Sequence, residues 1–450
     1  PFGAKFPADY QSFNKTGLGG TYPLNPLPGQ TWIETRNAWQ KNAVENTRLG
    51  IPTSFIAETL HSGYAGGTNF PMPCLQGSTW NRPMVQAAAA VIGMEAAASG
   101  IDRGFSPVLH FCTDPRFGRC EESFGEDPML IARMGEAAVA GLAGPGGPGA
   151  ASTYLPEPDV HIATEAKHYA AYGYGGRDGG MPAEISENTL YDVYLKPWYK
   201  YAQAGGRAIM AAHNEVNGMP MHANKDLLTG ALRQTFGFGD GLCASDAGDV
   251  SGVAGYRVAA DQVHAGAMAM NAGTDQDLEF PGAYAKVPDM LKAGLIDNVT
   301  LDRAVANVIR QKVAAGLFDN NATLLYVDAA KQNATLNKPE SRNLARQVAE
   351  DGITLLTNKD RRLPLTGLGS TIKKIAVIGP NADNPHSTLG LYGAEPGHPG
   401  TVTVLQAAAE AANSSGNAFV VEYEHGACLP GTPGCSCAST GTKGGWSKNW

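Results

Sequence analysis

From residue 50 to about 295 the chain alternates between short apolar runs and longer segments of helical period, and no other feature limits its fold so strongly. The runs TSFIA, FSPVLHF, VHIATEA, RAIMAA, GLCAS and AMAMNAG have the length and composition of strands buried on both faces. Helix candidates lie between them at residues 83–98, 128–142, 187–203, 225–235 and 256–268. Strand and helix in steady alternation predict a parallel sheet, and this many repeats in one unit favours a (β/α)8-type, TIM-like barrel over an open sheet.

A further amphipathic helix is expected at residues 301–318, followed by a polar stretch over 319–340 that reads as linker. Residues 341–351 then suit a helix, ITLLTN and KIAVIGPNAD suit strands, and a second α/β unit is expected over 341–450. At 450 residues the chain is too long for one ordinary core, and a barrel over 1–318 with a smaller second domain fits.

The formal net charge of −8 and the lack of any Lys/Arg run argue against nucleic acid or an anionic membrane as partner. No stretch reaches the roughly 18 consecutive apolar residues of a membrane span, and the first residues lack a signal-peptide pattern. Cysteine spacing gives no zinc motif, glycine clusters such as GYGGRDGG do not follow a strand and open a helix as a nucleotide cradle must, and neither GxSxG nor HExxH occurs. No cofactor or metal is expected. Cys112 and Cys120 bracket a segment with a Pro and a Gly that can fold back into a disulfide, while Cys428, Cys435 and Cys437 crowd the tail. With sequons at Asn14, Asn298, Asn321, Asn333 and Asn413, an oxidising, secreted setting, extracellular or vacuolar, is expected.

Each strand-like run ends in polar residues with reach: Glu58 near His61; Asp114, Arg116 and Arg119; Lys167 and His168; His213 and Asn214; Asp246; and Asp275. In a parallel barrel the carboxyl ends of the strands share one rim, so these groups converge on one pocket. An Asp at a strand end often only caps the next helix, and buried cations often only pair with neighbouring carboxylates. Pooled, however, a carboxylate nucleophile at Asp246, a second acid, an Arg and a Lys-His pair make a site for a neutral polyhydroxyl ligand.

The blocks DPRFGRCEESFGEDP, AKHYAAYG, NEVNGMPMHANKDLLTGALR, SDAGDV, GITLLTNKDRRLPL and IAVIGPNAD resemble glycoside hydrolase family 3 in order and separation, over roughly residues 45 to 425. The resemblance implies a barrel-like first domain followed by part of an α/β/α sandwich, and hydrolysis of terminal β-glycosides with retention. It implies that Asp246 is the nucleophile and that Glu58, Arg119, Lys167 and His168 bind the hydroxyls of the first sugar. A retaining mechanism needs an ionised carboxylate about 5 Å from a protonated one.

AETLHSG, which carries Glu58, is more similar to the family's β-xylosidases than to its β-glucosidases. The longer Glu reaches into space that a hexose hydroxymethyl group needs, so β-D-xylosidase is expected and β-glucosidase is the alternative. Three departures stand out. His213 takes the place of a common Tyr beside the nucleophile, and Ala247 that of a common Trp after it. The family's acid/base Glu on a later loop of the second domain has no counterpart, and YAAYGYGGRDGGMP has no His with which Asp178 could substitute. Either a second polypeptide completes the site, with the tail cysteines as tethers, or the chain is a sugar-binding protein without turnover.

Overall fold

The structure is a computed structural model that describes residues 20–21, 31–63, 66–144, 162–174, 182–279, 281–319, 325–365, 370–393, 401–416, 418–424 and 426. Among them the chain divides by internal packing into two units, the first reaching to Ile353 and including residues 391–393, the second taking the rest.

The first unit is built on an all-parallel sheet of β1 (Gly20–Thr21), β2 (Ser54–Ala57), β3 (Arg103–Gly104), β4 (Ala163–Tyr169) and β5 (Ala208–Ala211), with β8 (Leu242–Ala244) next to β5. A short antiparallel hairpin, β6 (Glu215–Val216) with β7 (Met219–Pro220), stands apart from it. β2, β5 and β8 are buried at every position, as strands covered by helices on one side and by a barrel interior on the other must be. The sheet curls: Gln276 bridges Ala244 beyond β8, and its amide lies where a Cβ on Gly20 of β1 would sit 3.0 Å from it. Inside the curl Arg103 pairs with Glu165 at 2.6 Å and donates to Gln276 at 2.7 Å. The interior is therefore filled by side chains, as in a TIM-like barrel.

Local chemistry sets the helix ends. Thr31 and Glu34 form a reciprocal capping box at Trp32–Asn46, Asn81 caps Arg82–Ala98, and Asp127 caps Pro128–Ala143. The last two helices pack closely because Gly141 has no side chain: a Cβ there would lie 2.3 Å from the Gln86 carbonyl oxygen. No helix among the described residues is long and apolar enough to cross a membrane.

Several expected elements differ. FSPVLHF is not a strand: β3 lies upstream, Pro107 has no N–H to give a ladder, and pairing continues only as a bridge between Val108 and Lys167. AMAMNAG runs through the last turns of the helix Gln262–Ala272 to its C-cap Gly273, and the N-cap Asp261 accepts from the His264 N–H. Small residues and Met suit either state, and the cap decides. ITLLTN forms no strand, and the span 187–203 divides into Glu187–Thr189, a π-helical turn Leu190–Tyr194 and Lys196–Gln203. The helix Pro339–Gly352, expected to open the second domain, belongs to the first unit, where the Gly352 carbonyl accepts from Ser78 at 2.9 Å.

The second unit pairs β9 (Lys374–Ile378) with β10 (Val420–Glu424) in parallel, and the helix Val404–Ser414 makes the crossover. The tail cysteines 428, 435 and 437, with Asn14, Asn321 and Asp178, lie outside the described residues.

Candidate active site

β2 ends at Ala57, which puts Glu58 at the mouth of the curl. The Lys167 ammonium donates to both Glu58 oxygens at 2.7 Å. Burial pushes the Glu58 carboxyl up to about 7 against the pull of Lys167, and burial of Lys167 is outweighed by Glu58 and Glu122, which hold it above its ordinary value. Adjacent residues of a regular strand face opposite sides. In β4 the register shifts between Ala166 and Tyr169, and the irregularity lets Lys167 and His168 turn to the same cluster.

The Cys112–Cys120 disulfide forms, and Arg119 stands beside it. Its guanidinium grips Glu122 bidentately at 2.8 and 2.9 Å, and Nη2 lies 3.3 Å from His168 Nε2. Burial penalises Arg119, but Glu122 outweighs it and keeps the guanidinium charged, while Glu122, for its part, is held below the ordinary carboxylate range despite burial. Asp114 and Arg116 pair with each other at the surface instead of entering the cluster.

Asp246 follows β8, with its backbone N–H donating to His222 Nε2 at 3.2 Å and its Oδ1 accepting from the Ala247 N–H at 2.7 Å. His213 Nε2 lies 2.8 Å from Asp246 Oδ2, and its Nδ1 lies 2.6 Å from Asp249 Oδ2. Burial lowers the His213 pKa, yet the two carboxylates carry it up to about 10. Burial raises Asp246, yet His213 first and Lys167 next bring it down to about 2. Asp246 is therefore an anion over the whole neutral range, with its side chain still 16% exposed.

Asp275 does not join this cluster. It accepts from the Cys243 N–H at 2.9 Å, Arg233 at 2.6 Å and Asn307 at 3.1 Å, and its side chain is fully buried. Asn214 donates to the Ala170 carbonyl at 3.3 Å, and His61 sits 2.9 Å from the Phe70 carbonyl oxygen, so both serve the backbone. Sequence reading missed four participants. Glu122, His222 and His110 lay unmarked beside stronger motifs, and Tyr392, whose ring centre lies 4.6 Å from Lys167 Nζ, is more than 200 positions away in sequence.

His168, His213 and Asp246 bring three ligand-type atoms within 4.8 Å, the one such group among the described residues. The surroundings suit a metal poorly. A cation would face the Arg119 guanidinium and would have to displace a proton from His213, whose two ring nitrogens already serve carboxylates.

Residues 18–311 match the Glycosyl hydrolase family 3 N terminal domain. The chain belongs to glycoside hydrolase family 3. A β-xylosidase of Formosa agariphila is 33% identical over 371 residues, which cover 78% of this chain and 49% of the relative. A periplasmic β-glucosidase of Salmonella typhimurium is 31% identical over 402 residues, covering 88% and 49%. The solved structure of a β-glucosidase from Erythrobacter marinus superposes with a TM-score of 0.83 at 34% identity, covering 95% of this chain and 54% of that one. The chain spans about half the length of the relatives it matches. Neither they nor the structure supports a separate second polypeptide.

Proposed function

We propose that this chain carries the nucleophile and the sugar-binding end of a retaining, exo-acting β-glycosidase, with terminal β-D-xylosides preferred and β-glucosides the near alternative. The observation that carries the reading is Asp246, held ionised by the His213 imidazolium and the Ala247 N–H beside two charge-paired clamps, Glu58–Lys167 and Arg119–Glu122. Such clamps offer fixed donors and acceptors to sugar hydroxyls while staying electrically balanced.

In this reading Asp246 attacks the anomeric carbon as the glycosidic C–O bond breaks and a general acid protonates the leaving oxygen. Water then attacks the glycosyl ester, gives its proton to that same group and releases the Asp246 carboxylate. The length of Glu58 favours a pentose, and named relatives of both specificities keep glucose as the competitor. One methylene discriminates by about 10- to 200-fold at most.

The test is incubation with equal amounts of activated 2-deoxy-2-fluoro xyloside and glucoside, read by intact mass and peptide mapping. A pentosyl adduct on Asp246 supports both mechanism and substrate. A hexosyl adduct there keeps the mechanism and replaces xylose by glucose. If binding occurs without any adduct, the sugar-binding reading without turnover takes its place.

An oxidising compartment, extracellular or vacuolar, is also inferred: the Cys112–Cys120 disulfide and the exposed sequons at Asn298, Asn333 and Asn413 favour it. Protein from its natural source with both thiols free and no glycan mass would remove that inference.

A further inference from the structure

His110, on the loop between β3 and the disulfide, is buried and packs its ring against His168, with centroids 5.2 Å apart and planes inclined by 15°. Three contacts fix where the protons are. His110 Nε2 lies 3.2 Å from the Arg119 carbonyl oxygen. A carbonyl only accepts, so this nitrogen carries the hydrogen. Burial drives the His110 pKa down to about 3, so the ring is neutral and its Nδ1 is bare. That bare nitrogen stands 3.1 Å from His168 Nδ1, which must therefore be the donor. His168 is itself held neutral, by burial first and then by Arg119, so its Nε2 is bare too. The Arg119 Nη2 donor 3.3 Å away agrees with this, whereas an Nε2–H there would point hydrogen at hydrogen. The circuit thus begins on the Arg119 backbone and ends on the Arg119 side chain.

We propose that His110 is a positioning residue: by accepting the Nδ1–H of His168 it holds that ring in the tautomer whose bare Nε2, beside Asp246, accepts a hydrogen bond from a substrate hydroxyl that takes the place of the Arg119 Nη2 donor. The inference rests on the glycosidase reading of this site and adds to it the direction of one hydrogen bond. It also separates the two histidines around the nucleophile by role. His213 is the cation that keeps Asp246 ionised, and His168, whose Nε2 lies 3.4 Å from Asp246 Oδ2 with no hydrogen to give it, is a neutral acceptor.

Nitrogen-15 chemical shifts of the histidine-labelled full chain test the tautomer, with His168→Asn used only to assign signals. The expected result is a bare Nε2 and a protonated Nδ1 on His168, and the reverse on His110. A protonated Nε2 on His168 overturns the proposal. In kinetics, His110→Leu, which offers no acceptor, is expected to lower kcat/KM by about 10- to 100-fold. His110→Asn, whose amide oxygen can stand where Nδ1 stood, is expected to restore most of it. A merely structural role would not change selectivity, so the decisive readout is a series of substrates lacking single hydroxyls. One of them should be strongly penalised in the parent and in the Asn variant, and much less in the Leu variant. Equal losses in both variants with an unchanged penalty would overturn the role, and if the Leu variant does not fold, the shifts of the parent still decide. A parent that hydrolyses glycosides but protonates Nε2 defeats this inference alone, whereas a parent with the bare Nε2 and no glycoside turnover defeats the activity reading instead.

Discussion

Asp246 and Asp275 lie on neighbouring segments of the barrel, joined by the bridge between Ala244 and Gln276, and both read in sequence as acids of one rim. Their surroundings differ in kind. Asp246 faces a histidine that is itself steadied by Asp249, and the pair leaves part of the carboxylate open. Asp275 is sealed: Arg233, Asn307 and the Cys243 N–H all donate to its Oδ2, Arg303 stands 3.8 Å from its Oδ1, and burial raises its pKa despite them. An acid becomes available to a ligand when its counter-charge approaches from one side only. When partners close around it from three segments, it becomes a fastener of the fold.

Exchanging the two roles by mutation gives the sharpest contrast. Asp246→Asn is expected to cut turnover of an aryl glycoside by about 10⁴-fold or more, with a fall in stability from the lost His213 pair that is smaller than the fall in the second variant. Asp275→Ala is expected to do the opposite: it strands Arg233 and costs about 3–5 kcal/mol in denaturant unfolding, while each molecule that stays folded keeps its activity. Loss of turnover without loss of stability in the second variant would dissolve the distinction.

His213→Phe probes the open side of Asp246. Removing the cation is expected to lower kcat/KM by about 10²-fold and, because the Asp246 carboxyl rises from about 2, to move the acid limb of the pH profile upward. The signs for stability follow from the two shifts. His213, raised to about 10, stabilises fully below its ordinary value and loses that contribution as pH rises through about 10. Asp246, lowered to about 2, stabilises above its ordinary value and loses that contribution as pH falls through about 2. The stability of the parent should therefore fall more steeply than that of the Phe variant between neutral pH and about 10. The smallest effect is expected on the Arg119 side, where replacing Cys112 and Cys120 by Ser removes a short loop closure worth about 2 kcal/mol. Arg119 keeps its Glu122 partner, so activity at low temperature should largely persist.

Much of the barrel could be read from the chain because parallel strands buried on both faces announce themselves as short apolar runs, as TSFIA, RAIMAA and GLCAS do. The same signal failed at AMAMNAG, where apolar content without periodicity also describes a buried helix, and at FSPVLHF, where Pro107 interrupts the ladder. In the site, Glu58, Arg119, Lys167, His168, His213 and Asp246 were marked by their position after strand-like runs, and the structure gathers them. Asp275 carried the same mark and does not join, since the mark reports where a residue sits along the chain and says nothing of what packs around its side chain.

By itself, then, the sequence determined the alternation that makes a parallel barrel and the kinds of groups that its strand ends can present, because periodicity and residue type are local properties. Only the tertiary structure decided which acid is open and which is sealed. It also decided that Lys167 and His168 turn the same way through an irregular strand, and that His110 sets the protons of His168. Those outcomes depend on distances between groups tens to hundreds of residues apart, and in a low-dielectric interior such distances fix both charge and proton position.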